Sequence, residues 1–264
     1  SYDIELEKYY TNAFGQIIGW ERESMDSMTP TPLTMAQASV ALVGDNAIFG
    51  FVSPIRGGRY RFSIEQTQGT ASFTTVTADW RRYFAPTKNL TVALRTVHYG
   101  RYGLSPEESS SDGFGMLRPL FLGYETFIRG YSYQSFSASE CSPPGSNSGG
   151  SCMAFNRLQG QQLAVANFEF RIPLIGVEQY GLINFQFVPV ELVAFADAGL
   201  AWDSDNPPVL AFSRSGYERV PVFSTGVSAR ANVLGFLIVE AYYAYPWQRP
   251  QKSWHWGFNI APGW

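Results

Sequence analysis

Arg129, Glu169 and Asp197 are charged side chains that stand in contrasting parts of the sequence. Arg129 stands in FIRGYSY (residues 127–133), within a long stretch rich in glycine, serine and proline, whereas each acid stands in a run of alternating apolar residues. A guanidinium presents five donors in a planar fork, which suits two neighbouring carboxylates. Whether these three groups can meet depends on the elements that position them.

Patterns typical of catalysis or metal binding find little support in the sequence. His98 and His255 stand in different segments without a cysteine or acidic partner at ligand spacing, and no G-x-S-x-G motif occurs. The glycine-rich GSNSGG at residues 145–150 precedes no predicted helix, which argues against a phosphate loop. We therefore expect no enzymatic activity, no metal and no cofactor.

The two cysteines, Cys141 and Cys152, flank a polar segment of ten residues in ECSPPGSNSGGSC. A loop of this composition cannot supply a core of its own, so the pattern predicts a disulfide formed in an oxidising compartment. The alternatives are a metal site or two free thiols, but no histidine or second cysteine pair stands nearby.

The composition restricts the fold class. Aromatic residues make up 16% of the chain and charged residues only 16%, whereas soluble domains average about 25% charged residues. The net charge of −3 gives no basic footprint for nucleic acid. No window approaches the roughly 18 to 20 uninterrupted apolar residues that a membrane helix requires. The aromatic residues are therefore expected in strands.

Period-2 alternation is the main structural signal in the sequence. In the C-terminal KSWHWGFNIAPGW, large apolar residues alternate with small or polar ones, and the segments around Glu169 and Asp197 alternate in the same way. Strands of about 10 to 13 residues with aromatic ends are typical of a transmembrane β-barrel wall around a polar lumen. A water-soluble sandwich is the alternative, but its strands would be shorter. The alternation places both acids on the lumen side.

About ten strands are predicted in this all-β, antiparallel fold. They lie near residues 4–20, 34–45, 59–68, 70–84, 89–103, 160–173, 187–200, 222–233, 235–247 and 252–264. Bacterial barrels keep both termini in the periplasm and their long loops outside. Counting back from the last strand puts the longest connection, residues 104–159, on the outer side together with the cysteines. Ten strands could close a small barrel, but the chain begins within a strand pattern, so we expect part of a larger one.

Four segments resemble motifs of the BamA/TamA outer-membrane superfamily, whose C-terminal barrel is the bacterial surface antigen domain. They are similar in the same order to the (V/I)RG(F/Y) loop signature, the strand after that loop, the F-x-D-x-G strand and the C-terminal strand signal. The matching residues are Ile128-Arg129-Gly130-Tyr131 after Gly123, LAVANFEFRIP with Glu169, FADAGLAWD with Phe195, Asp197 and Gly199, and FNIAPGW with Phe258, Ile260, Pro262, Gly263 and Trp264.

The resemblance implies that residues 1–264 are the C-terminal portion of a sixteen-stranded barrel. About six strands and any soluble domains would then lie upstream, and the outer loop most resembles members with an N-terminal β-propeller in place of, or beside, POTRA repeats. It also implies that the 104–159 loop folds into the lumen, where Arg129 meets Glu169 and Asp197. Gly130 would permit a sharp backbone path there, and Tyr131 would pack against the wall. The alternative is that Arg129 decorates an outer loop while the acids line a wet pore.

The implied function is insertion or translocation of other proteins at the outer membrane of a Gram-negative bacterium. The implied partners are the lipid bilayer and lipopolysaccharide, unfolded outer-membrane or secreted client proteins, and periplasmic or lipoprotein accessory subunits, with no nucleic acid. Pro262 cannot donate a hydrogen bond to a neighbouring strand, so a weak seam is expected between the last and first strands. The alternatives are a passive pore or membrane anchor for an attached domain, and a surface binding module built on the disulfide-closed loop.

Overall fold

The computed structural model describes residues 5–11, 17–24, 34–103, 117–136, 140, 152–176, 181–185, 188–213, 218–249 and 253–260. Regular structure in these ranges is almost entirely β, with one short α-helix, α1 (Met153–Asn156), and one 3-10 turn (Tyr133–Ser135). None of the helices in these ranges is long and apolar enough to cross a membrane.

Fifteen strands are present in the described ranges. In chain order they are β1 (Glu5–Thr11), β2 (Ile17–Ser24), β3 (Met35–Asp45), β4 (Ile48–Phe49), β5 (Pro54–Gly69), β6 (Phe73–Thr87), β7 (Leu90–Tyr102), β8 (Leu120–Phe121), β9 (Gln159–Gly160), β10 (Gln162–Gly176), β11 (Ile183–Asn184), β12 (Val190–Trp202), β13 (Val222–Val233), β14 (Leu237–Pro246) and β15 (His255–Ile260).

Nine of these strands form one continuous antiparallel path, in the order β15-β14-β13-β12-β10-β7-β6-β5-β3. Neighbours on this path follow one another along the chain except for the short strands beside it, and the longest connection joins β7 to β10. β3 and β15 are the two edges, and they do not pair with each other among the described residues. The predicted antiparallel meander is confirmed, and it has the strand lengths of a barrel wall.

The two faces of the path differ in polarity, as the alternation predicts. On β12, Glu191, Phe195 and Asp197 are buried, whereas Leu192 and Ala194 between them are exposed. The exposed face of β12 is therefore apolar, and its charged residues lie on the buried face. A soluble sandwich has the opposite arrangement, whereas a membrane barrel has an apolar outer band and a polar interior.

The prediction of a single first strand near residues 4–20 was wrong. β1 and β2 pair with each other, with Glu5 opposite Ser24 and Tyr9 opposite Trp20, and form a separate two-stranded sheet. Asn12 and Gly15, between the two strands, are residues that favour turns. They divide a stretch whose apolar alternation otherwise reads as continuous.

Candidate functional site

The connection between β7 and β10 brings the FIRGYSY segment onto the polar face of the sheet. At its base β8 pairs with β9, and the Leu122 amide donates to the Leu158 carbonyl at 2.8 Å. Leu122 and Ile128 are fully buried and pack with residues of β7, β10 and β13, including Val97, which form the largest apolar cluster in the described ranges. We call residues 122–131 the loop tip.

Gly199 of the F-x-D-x-G strand makes room for the loop tip. A Cβ atom at Gly199 would lie 2.2 Å from Cδ1 of Ile128 and 2.9 Å from Cδ1 of Leu122. These separations are shorter than any tolerated carbon contact. The glycine therefore permits close packing of the loop tip against β12.

Arg129, at the end of the loop tip, is 2% exposed and binds carboxylates on three strands. Its Nε and Nη2 donate to the two Asp197 oxygens, both at 2.8 Å, in a bidentate pair. Its Nη1 lies 2.8 Å from Glu169 Oε1 and donates to Glu240 Oε1 at 3.1 Å. The Arg129 backbone amide adds a contact of 3.2 Å to Asp197 Oδ2. One side chain thus connects the loop to β10, β12 and β14.

Neighbouring residues fix the orientation of Arg129. The Phe195 ring centroid lies 3.6 Å from the guanidinium carbon, a cation–π contact. Gly130 has a φ of +92°, a conformation that favours glycine. The Tyr131 hydroxyl lies 3.0 Å from the Phe223 carbonyl oxygen and is buried against β13. The RGY residues thus direct the cation inward and fasten the chain on either side of it.

Six buried side chains form what we call the ionic cluster. They are Arg129, Arg171, Arg230, Glu169, Asp197 and Glu240. Three guanidiniums face these three carboxylates, and a fourth buried carboxylate, that of Glu191, lies 4.0 Å from Arg230 Nη1. Glu169 receives Arg171 Nε at 2.8 Å and Arg230 Nη2 at 2.6 Å in addition to Arg129. A buried charge is stable only when it has partners, and each of the six side chains contacts at least one group of opposite charge.

The charge state of Arg129 follows from its surroundings. Burial by itself would lower the pKa of the guanidinium, but the charges of Asp197 and Glu169 outweigh burial and raise that pKa well above its ordinary value. Arg129 therefore remains a cation at any physiological pH.

Further hydrogen bonds attach the loop tip to the wall. Arg95 Nη1, on β7, donates to the Thr126 carbonyl at 2.8 Å. Asn167 Nδ2, on β10, donates to the Phe127 carbonyl at 2.7 Å and to Asp197 Oδ1 at 2.8 Å. Backbone carbonyls of the loop are thereby satisfied by side chains of the sheet, which keeps the tip at one position.

A second connection, residues 50–53 between β4 and β5, covers the polar face at the β12 end nearer Val190. The Ser53 hydroxyl contacts both Glu191 oxygens, at 2.7 and 2.8 Å. Arg171, a member of the ionic cluster, donates from Nη1 to the Pro54 carbonyl at 3.2 Å. The cluster therefore contacts the loop tip on one side and the start of β5 on the other.

The structure places the predicted tether residues Arg129, Glu169 and Asp197 in direct contact and adds three that were not assigned to the site. Arg171, Arg230 and Glu240 stand on the same polar face as Glu169, so alternation carries a signal for them. Their pairing depends on register, because Arg230 lies directly opposite Glu240.

The remaining predicted residues are far from Arg129 or lie outside the described ranges. Phe258 and Ile260 on β15 point away from the cluster and are 61% and 58% exposed. Cys152 stands at the start of α1. The other predicted residues, Cys141, Pro262, Gly263 and Trp264, lie outside the described residues. The Cys141–Cys152 pairing therefore stays a prediction.

Residues 32–262, which include the loop tip and all nine strands of the main path, match the Omp85 superfamily domain. The chain belongs to the Omp85 superfamily. The predicted membership in the BamA/TamA group of barrels is thereby confirmed. The β1–β2 hairpin lies before the residues that match the Omp85 domain.

A solved structure has a similar fold. It is "The crystal structure of BamA from Haemophilus ducreyi lacking POTRA domains 1-3", with a TM-score of 0.55 and 14% sequence identity. The match covers 96% of this chain and 46% of that one, so the chain spans about half the length of this relative. At this identity the likeness shows the fold, an antiparallel transmembrane β-barrel. A search of curated protein sequences finds no significant match.

Proposed function

We propose that this Omp85 domain inserts or translocates other proteins at the outer membrane of a Gram-negative bacterium. The observation that carries the proposal is the binding of the loop tip, through Arg129, to carboxylates on three strands of the wall. A buried ionic network contributes less stability than apolar packing of the same volume. Its presence favours a loop that must occupy one defined position and that can leave it as a unit.

A client would add at the edge of the sheet. β15 is only six residues long and, among the described residues, pairs on one side only, with β14. Its other side is an edge of the described sheet, and a strand edge can accept an extended segment by β-augmentation. The predicted lack of a donor at Pro262 would shorten any competing pairing with an upstream strand.

The proposed partners follow from this chemistry. The exposed apolar face fits the lipid bilayer and lipopolysaccharide, and the β15 edge of the described sheet fits an unfolded outer-membrane or secreted client. Periplasmic or lipoprotein accessory subunits are the further partners that we propose. The mechanism assigns no catalytic step, cofactor or nucleotide to the chain, because strand exchange is driven by hydrogen bonding and apolar burial.

Substitution of Arg129 tests the proposal. Arg129→Ala leaves Asp197 buried without its arginine partner and removes one of the three arginines that contact Glu169, so the loop tip should lose its defined position. The full-length protein in lipid vesicles would be assayed for folding of an outer-membrane barrel client and, in parallel, for small-solute conductance. We expect client folding to fall at least tenfold while conductance changes little.

Arg59→Ala is the matched control, because Arg59 pairs with Asp45 at a partly exposed site on β5. It should leave client folding unchanged. Normal client folding by the Arg129→Ala protein together with a large permanent conductance would overturn the proposal in favour of a passive pore.

We also propose that Cys141 and Cys152 form a disulfide on the outer side of the membrane. Alkylation of the intact protein with and without reduction tests this pairing by mass. Two alkyl groups that add only after reduction are expected, whereas alkylation without reduction would exclude the disulfide.

A further inference from the structure

The connection between β14 and β15 contacts the Arg129 loop at a site separate from the ionic cluster. Two of its side chains, Gln248 and Arg249, are only 1% and 2% exposed although they lie in a short connection at the end of a hairpin. Buried polar side chains in such a connection require partners. Their partners belong to the loop.

Arg249 binds the part of the loop that follows Arg129. Its Nη1 donates to the Gly130 carbonyl at 2.9 Å and to the Ser135 hydroxyl at 2.7 Å. Its Nη2 donates to the Ser135 carbonyl at 2.9 Å and to Glu140 Oε1 at 2.8 Å. The Phe136 ring centroid lies 4.0 Å from the guanidinium carbon. The full fork of one arginine is thus used on one loop.

Gln248 binds the RGY tyrosine. Its backbone amide donates to the Tyr131 hydroxyl at 3.1 Å, and its Oε1 lies 3.2 Å from the same hydroxyl. Oε1 also accepts the Phe223 amide of β13 at 2.7 Å. Tyr131, Gln248 and β13 therefore form one buried network in which the loop and the hairpin connection share hydrogen bonds.

We propose that Gln248 and Arg249 are positioning residues that couple the place of the loop tip to the place of strand β15. We call the two residues the hairpin latch. Within the described ranges β15 has one strand neighbour, β14, with which it shares six register pairs from Ala244–His255 to Val239–Ile260. The connection that contains the latch leads directly into β15. Displacement of β15 therefore strains the contacts that the hairpin latch makes with the loop. Release of the loop removes the contacts that hold the connection between β14 and β15.

Coupling of this kind is reciprocal. If release of the loop weakens the pairing of β15 by some factor, displacement of β15 weakens the binding of the loop by the same factor. This inference rests on the proposed function for its use, because a client that displaces β15 would release the loop. The coupling itself concerns only two parts of one chain and can be measured without any client.

Hydrogen–deuterium exchange of the full-length protein in lipid vesicles tests the coupling. The rates compared are those of peptides covering the loop tip and residues 255–260. Arg249→Ala is expected to raise exchange in both regions about tenfold or more, as loss of charge-assisted hydrogen bonds predicts. Tyr131→Phe, which keeps the ring and removes only the hydroxyl, should raise exchange at 255–260 about two- to tenfold.

The decisive comparison uses Arg129→Ala in the presence and in the absence of the Arg249 side chain. With Arg249 present, Arg129→Ala should raise exchange at residues 255–260, although Arg129 makes no contact with β15. In the Arg249→Ala background, Arg129→Ala should add nothing there. Arg59→Ala is the control and should change neither region.

Faster exchange of the loop tip with unchanged exchange at 255–260, in either Arg129→Ala or Tyr131→Phe, would overturn the proposal. Because no client is present, this result is independent of the client-folding assay. A protein that shows the coupling but folds no client would refute the proposed function and leave the latch intact.

Discussion

Strands β12 and β3 belong to the same antiparallel path, yet their surroundings differ. β12 alternates between buried and exposed residues along its length, whereas β3 is exposed at nearly every position on both faces. The loop tip covers the polar face of β12 through Arg129 and Ile128. In the described part of the chain the polar face of β3 has no such cover.

The chemistry of the two polar faces follows this difference. Asp79 on β6 lies in register with Arg61 on β5 and Val43 on β3, so the polar face of β3 carries Met35, Gln37, Ser39, Ala41, Val43 and Asp45. Only Asp45 among them is charged, and it pairs with Arg59 at a partly exposed site. The buried charged side chains of the path lie instead on β7, β10, β12, β13 and β14. Buried ionic side chains thus occur where a partner segment completes their bonds, which is the condition for burying charge.

The largest effect is expected from Glu169→Gln in the ionic cluster. Glu169 is fully buried and contacts Arg129, Arg171 and Arg230, so the neutral amide removes the carboxylate charge that these three buried guanidiniums share. The free energy of unfolding should fall by roughly 3 to 5 kcal/mol. Denaturant unfolding of the reconstituted protein, followed by tryptophan fluorescence, measures the change.

Glu65→Gln is the control outside the region that the loop tip covers, since Glu65 lies on β5 directly opposite Ser39 of β3. It should change the free energy of unfolding by less than about 0.5 kcal/mol. Equal losses of unfolding free energy in Glu65→Gln and Glu169→Gln would contradict the conclusion that buried ion pairing depends on cover by the loop tip.

A smaller effect is expected where the loop tip packs on β12. Gly199→Val would place side-chain atoms where Ile128 and Leu122 now lie, and overpacking of this kind costs about 1 to 3 kcal/mol. Ala196→Val adds two methyl groups on the exposed apolar face of the same strand and should be nearly neutral. The same unfolding measurement compares the two, and a larger loss for Ala196→Val would show that the loop does not limit space at Gly199.

The strands of the barrel wall and part of the ionic cluster could be predicted from the sequence. Alternation alone put Glu169 and Asp197 on the polar face, and resemblance to a family supplied the idea that Arg129 reaches them. The sharing of Glu169 among three arginines was not predictable, because it depends on the register of four strands and a period-2 pattern does not carry register. The first strand was mispredicted because Asn12 and Gly15, residue types that favour turns, were not read as a break in the strand pattern.

Gln248 and Arg249 were missed for a different reason. They stand in the short polar stretch between β14 and β15, where glutamine and arginine are ordinary surface residues. Their burial arises from a loop more than a hundred residues earlier in the chain, with Arg249 contacting Gly130. Local composition cannot reveal such a contact.

The smallest changes in the free energy of unfolding should come from removal of one serine hydroxyl, made once in the ionic cluster and once on β3. The Ser228 hydroxyl on β13 donates to Glu240 Oε1 at 2.6 Å in the buried cluster, whereas Ser39 is exposed on β3. Ser228→Ala should lower the free energy of unfolding by about 1 kcal/mol, since Glu240 keeps its two arginine partners and loses one hydrogen bond. Ser39→Ala should stay within about 0.5 kcal/mol. Because both substitutions remove a single hydroxyl, the difference between their losses of unfolding free energy measures the effect of burial under the loop tip. A loss at Ser39 as large as that at Ser228 would mean that another segment of the whole protein covers β3 as the loop tip covers β12.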